Sequence, residues 1–509
     1  MGSDSLRIDA VELPGMGAIG LTFCPGKTDP YGLAGPHDRD LGADLRAMAH
    51  WEADHLVTLI EAREFDHLGV GELGEAAEMA GMDWSWLPIP DGGVPDDDFE
   101  RRWLYDGLRL RRIIRRGGRV VVHCRGGLGR AGLVAGRLLV ELGWDPEAAL
   151  KSVRRARPGA VETAGQERYL RALRPGERSE EQDNRVLGAL VGGALGDGFG
   201  YAVEFWSEDQ IRAEFGGEGM ANPQLTRQGE LVVSDDTQMT LFTLAGLLEA
   251  GPPGEVGIDD AVAKVRTAYL AWLETQEGTP TLQTYGAIDQ LATGPRLQQL
   301  RAPGLTCLDA LRDGGGGTPE YPANDSKGCG GVMRVAPVGL VPGWSAEQAY
   351  EVGAKSAALT HGHPAGYAAA GAMAAMVRHL AGGQSLSEAT VNAFPLVVGE
   401  LGAPEVHESL RQALERARVP SEDPFDDVRA LGEGWVAEEA LAIGVYAALR
   451  GRDFPDVVRI AASHGGDSDS TAAIAGQLYG VWQGVHSMPH AWVRRLDVLS
   501  PLLMLVERF

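Results

Sequence analysis

The sequence predicts a multidomain protein in which a small α/β domain, a central sheet flanked by helices, precedes a larger all-α domain. A Val-Val-Val run at 120–122 leads through a Gly-rich loop into an apolar helical segment, as strands do in α/β folds. From residue 185 onward the chain is rich in Ala and Leu with helical periodicity, and strand patterns are nearly absent. Between these regions, residues 174–183 are polar and lack an apolar period, which is typical of a linker. We therefore expect domains at 1–176 and 185–509, joined by a linker at 177–184.

Composition narrows the class of protein and its partners. The chain has 509 residues, enough for two hydrophobic cores, and a net charge of −25 that argues against nucleic-acid or anionic-membrane partners. No apolar run reaches the length of a membrane span, and the acidic start is unlike a signal peptide. The four cysteines are scattered and too few for a disulfide framework. These features predict a cytoplasmic protein, and the few lysines beside many arginines are a bias expected of a GC-rich bacterial genome.

In the first domain, the strand patterns lie around residues 56–60 and 120–123, and helical patterns cover 103–114 and 133–140. A basic run precedes the second strand, and a solvated helix face or a substrate-steering surface would both explain it. Its members are Arg109, Arg111, Arg112, Arg115, Arg116 and Arg119.

The loop between the strand at 120–123 and the following helix carries a nucleophile and an anion site. Its backbone N–H groups and the helix N-terminus favour negative charge at one point, which also favours the thiolate form of Cys124. Arg130 can bind two phosphate oxygens through its planar guanidinium. A Gly-rich turn with a buried cysteine is the structural alternative. The predicted phosphate-binding residues are Arg125, Gly126, Gly127, Leu128, Gly129 and Arg130.

A phosphatase built on this loop needs a proton donor for the leaving group. Asp91 lies in the turn-rich segment 87–96 and fits this role. Asp96, Asp97 and Asp98 are alternatives, although they have the pattern of a solvated helix start.

These motifs resemble the dual-specificity branch of the protein-tyrosine-phosphatase family, in particular the cyclin-dependent-kinase-inhibitor-associated phosphatase. The matching segments are 20–27, 90–93 and the Cys124 loop, within residues 10–175. The resemblance implies Cys124 as nucleophile, Arg130 as phosphate clamp and Asp91 as general acid. Ala131 departs from the family, which usually has Ser or Thr there to assist departure of the thiolate from phosphocysteine.

The second domain has seven strongly helical segments and three acidic motifs. The segments are 185–204, 237–249, 261–274, 346–359, 365–380, 437–449 and 470–485. Ser and Asp at helix starts are ordinary N-caps when taken singly. Together, the carboxylate and hydroxyl oxygens, with no His or Cys beside them, suit hard cations such as Mg²⁺ or Mn²⁺. The motifs are 196–204, 234–237 and 464–471.

Residues 185–509 resemble the ADP-ribosylglycohydrolase family, through segments 188–197, 234–239, 326–334, 359–364 and 465–470 in the family's order. The resemblance implies an all-α fold with two Mg²⁺ ions, Mn²⁺ being an alternative. It implies that Glu204 assists attack or gates the site. The implied metal ligands are Ser234, Asp235, Asp236, Asp467, Asp469 and Ser470, and the implied ADP-ribose contacts are Gly328, Cys329, Gly330, Gly331, Met333 and His361. Cys329 stands where many relatives have Asn, and a small packed residue is its simplest interpretation.

The sequence therefore predicts a bifunctional hydrolase acting on a phosphorylated and an ADP-ribosylated protein or small molecule. The alternative is an active glycohydrolase whose phosphatase-like half only recognises phosphate.

Overall fold

The computed structural model describes residues 5–30, 36–174, 180–251, 256–278, 281–399 and 401–509. The chain forms two compact units, residues 1–180 and 181–509. Residues 177–179 of the predicted linker lie outside the described residues, and residues 180–184 are helical, because the helix that opens the second unit already begins at Glu180, the last residue of the first.

The first unit is built on a sheet flanked by helices. Its strands are β1 (Asp9–Glu12), β2 (Ala18–Phe23), β3 (Thr28–Asp29), β4 (His37–Asp38), β5 (His55–Thr58), β6 (Asp83–Trp86) and β7 (Arg119–Cys124). Its helices are α1 (Leu41–His50), α2 (Ala62–Leu68), α3 (Leu73–Met79), α4 (Asp97–Arg115), α5 (Gly129–Glu141), α6 (Pro146–Ala156) and α7 (Ala164–Ala172). The main sheet has the order β1-β2-β7-β5-β6, while β3 and β4 pair separately.

The sheet places four strand ends at one edge. β2, β7, β5 and β6 are mutually parallel, and only β1 runs antiparallel, beside β2. The Val-Val-Val run lies in the central strand β7, where Val120 and Val122 enter one core and Val121 the core on the opposite face. Such continuous apolar strands are expected where both faces of a parallel sheet are covered. Ligands bind outside the carboxyl ends of such strands.

The predicted elements of this unit are present: α4, α5 and β7 are longer than predicted, whereas β5 ends at Thr58, two residues before the predicted strand end. The helix predicted at 103–114 is α4, and Asp96 caps it by accepting a hydrogen bond from Phe99 N at 2.9 Å. The basic run lies on and just after α4, but its charges are not simply solvated. Arg109 pairs with Asp83, and Arg111 pairs with Glu141. These half-buried pairs join α4 to neighbouring elements of the unit.

The second unit is helical, and its described residues contain isolated bridges but no longer strand. Its α-helices are α8 (Glu180–Tyr201), α9 (Glu208–Phe215), α10 (Asp235–Ala250), α11 (Ile258–Glu277), α12 (Gly286–Ala292), α13 (Leu305–Arg312), α14 (Ala336–Leu340), α15 (Ala346–Ala358), α16 (Pro364–Ala381), α17 (Leu386–Val397), α18 (Pro404–Arg418), α19 (Pro424–Leu431), α20 (Ala437–Arg450), α21 (Phe454–Ala462), α22 (Ser468–Gln483), α23 (His490–Val493) and α24 (Leu499–Arg508). Short 3₁₀ turns cover Cys329–Gly331 and Val485–Ser487.

Two helices of this unit pack backbone to backbone. α8 carries glycines at 188, 192, 196 and 200, so one small residue faces the same direction in each turn. A Cβ added at Gly192 would lie 2.3 Å from Gly476 O of α22, and one at Gly196 would lie 2.0 Å from Ala472 O. The close approach fixes the C-terminal end of α8 against the start of α22. The sequence predicted this helix through Glu204, but it ends at Tyr201 and Glu204 follows it.

Within the described parts of the chain, no helix combines the length and the apolar character needed to cross a membrane.

Candidate active sites

The candidate phosphate site lies at the carboxyl edge of the main sheet. Cys124 ends β7 and is 3% exposed, and Gly127 N donates a hydrogen bond to its Sγ at 3.2 Å. Gly127 has a φ of +72°, and a Cβ there would lie 2.3 Å from Thr22 O, so the turn requires glycine.

Carbonyl groups of the loop are held on its outer side. Lys27 Nζ donates to Arg125 O at 3.3 Å, and Arg157 Nη2 donates to Gly126 O at 3.1 Å. Arg125 itself pairs with the buried Asp29 at 2.9 Å. These contacts engage two carbonyl groups of the loop, and Gly127 N points at Cys124 Sγ.

Arg130 is fixed on several sides within the first unit. It is 2% exposed and forms a two-point pair with Glu64, at 2.6 and 3.0 Å, while Nη1 also donates to Ile89 O at 3.1 Å. The Arg130 guanidinium lowers the pKa of Glu64 although burial, the largest effect, opposes it. Sequence reasoning missed Glu64. Its only signal was the acidic helix start, where Glu61 and Glu64 form a capping box.

Asp91 reaches the same arginine from the loop after β6. Its Oδ1 lies 2.9 Å from Arg130 Nη2, and its side chain is 64% exposed. Thr163 Oγ1 donates to Gly92 O at 3.2 Å and Gln166 Nε2 donates to Gly93 O at 3.0 Å, which ties this loop to the start of α7. The structure therefore brings Asp91, Arg130 and the Cys124 loop together, whereas Asp96 caps α4.

His123, just before the nucleophile, has a structural setting. It is fully buried, and one of its ring nitrogens, Nε2, lies 2.7 Å from Thr58 Oγ1. Burial lowers its pKa to about 3, so the imidazole is neutral. Ala131 is fully buried in the first turn of α5 and offers no hydroxyl to the loop.

In the second unit, Asp197 organises the first acidic motif. This buried carboxylate of α8 accepts hydrogen bonds from Ser234 N at 2.9 Å, from Thr237 N at 3.0 Å and from the Thr237 hydroxyl. Burial raises the pKa of Asp197 to about 6. Asp197 thus fixes the start of α10, and the sequence marked its motif without assigning it this role.

Asp235 and Asp236 begin α10 and are almost completely buried. Asp235 Oδ2 accepts from Gly304 N at 3.2 Å, whereas Asp236 Oδ2 has no hydrogen-bond partner. Burial raises the pKa of Asp235 to about 8, and burial together with Asp235 raises that of Asp236 well above its usual range. Buried carboxylates without a compensating charge are costly, so this arrangement favours a bound cation.

The third motif lies at the start of α22. Asp467 caps α22 by accepting from Ser470 N at 3.3 Å, and Asp469 Oδ1 accepts from the same N–H at 3.0 Å. Burial, and then Asp236 and Asp467, raise the pKa of Asp469 well above its usual range. All six predicted metal-ligand residues are buried at the starts of α10 and α22, and the carboxyl groups of the two helix starts raise one another's pKa. We call this set the acidic cluster: Ser234, Asp235, Asp236, Asp467, Asp469 and Ser470.

Glu204 lies beside the acidic cluster, just after α8. Burial, and then Asp467 and Asp235, raise its pKa to about 8. Its Oε2 is buried without a hydrogen-bond partner. A carboxyl group of this kind can exchange a proton near neutral pH.

The 326–334 segment brings a sulfur into the acidic cluster. Cys329 Sγ donates to Asp467 Oδ2 at 2.7 Å and lies 3.6 Å from Ser470 Oγ. The expectation that no cysteine lies beside the carboxylates is therefore wrong, because the fold joins positions separated by 138 residues. Burial and Asp467 raise the pKa of the Cys329 thiol well above its usual range.

The remaining predicted ADP-ribose contacts surround this turn. His361 is buried, and a Cβ at Gly330 would lie 2.9 Å from its Cε1, so glycine permits the close approach. Burial lowers the pKa of His361 to about 3. Met333 Sδ lies 3.7 Å from Ser470 Oγ, while Gly328 and Gly331 flank the turn.

Arg334, the residue after Met333, holds this segment through contacts in the interior of the unit. It is completely buried and donates to Thr360 Oγ1 at 2.7 Å, and its guanidinium lies 4.2 Å from the centre of the Tyr269 ring. Thr360 in turn lies 2.8 Å from His361 Nδ1. A chain of contacts thus connects the 326–334 segment to His361.

Comparison with known proteins identifies both halves. The ADP-ribosylglycohydrolase family model matches residues 178–509, and that of the Swiss Army Knife DSP-PTPase phosphatase domain matches residues 27–187. The ADP-ribosyl-[dinitrogen reductase] glycohydrolase of Rhodospirillum rubrum is 26% identical over 324 residues, 62% of this chain and 91% of that protein. Cyclin-dependent kinase inhibitor 3 of Rattus norvegicus is 38% identical over 90 residues, 17% of this chain and 41% of that protein.

Among solved structures, a kinase associated phosphatase is 25% identical, with a TM-score of 0.30. The match covers 33% of this chain and 94% of the phosphatase chain.

Proposed function

Because the chain belongs to the ADP-ribosylglycohydrolase family and carries a dual-specificity-type phosphatase domain before it, we propose that it is a bifunctional hydrolase. One site cleaves the C1″ bond of an ADP-ribosyl group, and the other removes a phosphate. The glycohydrolase proposal depends chiefly on one observation. Asp235, Asp236 and Asp469 are buried together with raised pKa values, and Asp236 Oδ2 has no partner.

The acidic cluster fits two divalent cations of the Mg²⁺ or Mn²⁺ type. Its oxygen donors come from carboxylates and serine hydroxyls, which hard cations prefer, and its charges need compensation. Ser234, Asp235, Asp236, Asp467, Asp469 and Ser470 would hold them. When bound, the cations would supply positive charge that orients the ribose hydroxyls and makes water more acidic.

Residues of the chain would transfer the proton and position the substrate in the glycohydrolase reaction. Glu204, whose pKa of about 8 suits proton exchange, would accept the proton of the attacking water. The water oxygen then forms the new bond to C1″ as the bond from C1″ to the acceptor atom breaks. The acceptor leaves with the bonding electrons and takes up the proton that Glu204 received. The Cys329–Gly331 turn and His361 would position the ADP-ribose beside these carboxylates.

The glycohydrolase can be tested by screening acceptors. We expect the full chain to release ADP-ribose from at least one of ADP-ribosyl-arginine, ADP-ribosyl-serine, ADP-ribosyl-thymidine and ADP-ribose-1″-phosphate, measured by chromatography. Asp236→Asn should abolish release because it removes a buried charge from the cluster. Asp309→Asn is the matched control, since that carboxylate is 71% exposed on α13. Equal release by Asp236→Asn and the native chain would refute the assignment.

The phosphatase proposal depends on the contact between Asp91 and Arg130 beside the Cys124 loop. Cys124 Sγ would attack phosphorus and form phosphocysteine, while Asp91 gives its proton to the departing oxygen. Arg130 and the loop N–H groups would stabilise the phosphoryl oxygens. Water would then hydrolyse the S–P bond, releasing phosphate and the thiolate.

The Asp91→Asn variant tests whether Asp91 is the general acid of this mechanism. Hydrolysis of an alkyl phosphate should slow by roughly 10²–10⁴-fold, because its leaving oxygen needs a proton. Hydrolysis of p-nitrophenyl phosphate should change far less, since p-nitrophenolate leaves unaided. Asp98→Asn serves as the control and should behave like the native chain. Equal losses on both substrates would exclude Asp91 as the acid.

A second candidate, phosphate recognition without turnover, is favoured by Ala131, which leaves the loop without the usual hydroxyl. p-Nitrophenyl phosphate turnover by the full chain, absent in Cys124→Ser, would exclude this candidate. Phosphate binding with no turnover by either chain would establish it.

A further inference from the structure

Arg334 is a buried arginine whose guanidinium contacts neutral groups. It donates to Thr360 Oγ1 at 2.7 Å and to Ser356 O at 3.4 Å, and it lies over the ring of Tyr269. Among the residues that the structure describes, no carboxylate pairs with it. A buried charge without a counter-charge is costly. The contacts of Arg334 therefore orient the neutral groups around it.

The hydroxyl proton of Thr360 has one open acceptor. Because arginine only donates, Thr360 Oγ1 accepts from Arg334. Two acceptors lie near the hydroxyl, Ala357 O at 3.4 Å and His361 Nδ1 at 2.8 Å. Ala357 O already accepts from Thr360 N at 3.0 Å and from His361 N at 2.9 Å, which occupies both of its lone pairs. The hydroxyl proton therefore points to His361 Nδ1.

This hydrogen bond determines the tautomer of His361. Burial, and then Arg334, lower its pKa to about 3, so the imidazole is neutral. A neutral imidazole whose Nδ1 accepts a hydrogen bond carries its proton on Nε2. A Cβ added at Gly328 would lie 3.3 Å from Nε2, and one at Gly330 would lie 3.2 Å from it. Nε2 has no hydrogen-bond partner among the described residues, so its N–H is an open donor beside the Cys329–Gly331 turn.

We propose that Arg334 and Thr360 are positioning residues that hold His361 as a neutral donor, whose Nε2–H binds an oxygen of the ADP-ribose. The inference rests on the proposed glycohydrolase function, which places ADP-ribose at this turn. In this arrangement the imidazole does not act as a base. A donor that serves the bound ADP-ribosyl group before and during the reaction contributes to affinity rather than to the chemical step.

The tautomer of His361 can be measured without a substrate. Two-dimensional ¹H–¹⁵N spectra of the full chain, labelled with ¹⁵N in its histidines, distinguish a protonated ring nitrogen from an unprotonated one. His361→Asn identifies the signals of this residue. We expect the Nε2–H form in the native chain at neutral pH. In Thr360→Val the two tautomers should become mixed, because the hydroxyl that makes Nδ1 an acceptor is lost, and Thr360→Ser should restore the native pattern.

Arg334→Met tests the first contact of the network. Without the guanidinium, Thr360 Oγ1 can accept a proton from Nδ1 of His361, so the tautomers should again become mixed. Retention of the pure Nε2–H form in this variant would overturn the role of Arg334.

Two controls accompany these spectra. Thr390→Val removes an equally buried threonine hydroxyl of the same unit, one that bonds within α17, and should leave His361 unchanged. His363 is the internal reference, since its Nδ1 accepts from Ala365 N at 3.1 Å and should do so in every variant. A native chain with the proton on Nδ1 of His361, or an unchanged pattern in Thr360→Val, would overturn the proposal.

Calorimetric titration with ADP-ribose in excess Mg²⁺ gives the second measurement. Thr360→Val should bind ADP-ribose about three- to tenfold more weakly, because the donor is no longer fixed, and Thr360→Ser should bind it as the native chain does. Equal affinities of Thr360→Val and the native chain would overturn the role of the network in binding. A native chain that binds no ADP-ribose would refute the proposed glycohydrolase function, and the tautomer spectra would still decide whether the network exists.

Discussion

At the scale of single residues, Ala131 is the clearest departure of the phosphate site from its relatives. It lies fully buried in the first turn of α5, next to Arg130, where a hydroxyl would reach the loop. Ala131→Ser should speed breakdown of phosphocysteine by about tenfold, because a hydroxyl can donate to the departing thiolate. Rapid-quench kinetics with p-nitrophenyl phosphate check this.

In that experiment the native chain should show a burst of p-nitrophenol followed by slow turnover. In Ala131→Ser the rate of turnover should come closer to the rate of the burst. Ala135→Ser is a control, since it adds the same hydroxyl one turn further along α5. If both variants change turnover equally, the hydroxyl effect is not specific to position 131.

Asp235 provides a pH prediction for the cation-free chain. Its pKa is raised to about 8, mainly by burial. Its stabilising contribution is therefore full below the unfolded-state pKa of about 4 and is lost as the pH rises through about 8. Asp235→Asn removes this titration, so its melting temperature in EDTA should fall less between pH 5 and pH 8 than that of the native chain.

The difference between the two melting curves is what matters, because it isolates the titration of Asp235 and of the neighbours whose pKa it raises, Asp236 and Glu204. Excess Mg²⁺ or Mn²⁺ should reduce the pH dependence of the native chain, since a cation stabilises the ionised carboxylates. A parallel pair of melting curves would contradict the raised pKa of Asp235.

The candidate site residues were predictable to different degrees. Cys124, Arg130 and the carboxylates of 234–236 and 467–470 stand in local motifs, so the sequence could mark them. Glu64 and the nearness of Cys329 to Asp467 depend on pairings across 66 and 138 residues. A single sequence does not reveal such pairings, because they arise from the packing of distant elements.

At the scale of elements, the long helices were predictable and their ends were less so. The helix predicted at 365–380 is α16, whose bounds Pro364–Ala381 extend one residue further at each end. The end of α8 at Tyr201 was not predicted, because its Gly-rich face continues the helical pattern through Glu204. Strands β1 and β2 were also missed, since their short apolar runs resemble loops or buried helix segments.

The pairing of α8 with α22 yields an element-scale prediction. Gly192→Ala should lower the free energy of unfolding by about 1–3 kcal/mol, because the new methyl group would press on Gly476 O, 2.3 Å away. Denaturant unfolding monitored by circular dichroism measures this. The same variant should also weaken ADP-ribose release, since the helix pair sets the position of Asp197 and Glu204 relative to Asp467.

Gly165→Ala in α7 is the matched control. Its added Cβ would lie 3.7 Å from Thr163 Oγ1, an ordinary contact, so the helix should gain about 0.5–1 kcal/mol. If Gly192→Ala were as stable as Gly165→Ala, the tight approach of the two helices would be refuted.

At the scale of the whole molecule, two compact units each contain one candidate site. The phosphate site is drawn from the strand ends of the first unit, and the acidic cluster from α10, α22 and the neighbouring turns of the second. We therefore expect variants of one site to leave the chemistry of the other intact. Asp467→Ala should abolish ADP-ribose release and leave p-nitrophenyl phosphate turnover unchanged. Cys124→Ser should do the reverse.

Chelation extends the same argument to stability. A cation that binds only the folded second unit stabilises it by about 2.7 kcal/mol at a concentration one hundred times its dissociation constant. EDTA should therefore lower the melting temperature of the transition that belongs to the acidic cluster, and Mg²⁺ or Mn²⁺ should restore it. Asp467→Ala should remove this response, because it deletes a carboxylate of the cluster and the acceptor of the Cys329 thiol. Calorimetry of the full chain measures both transitions at once. A shift that persists in Asp467→Ala would place the stabilising cation outside the acidic cluster and contradict the proposed site.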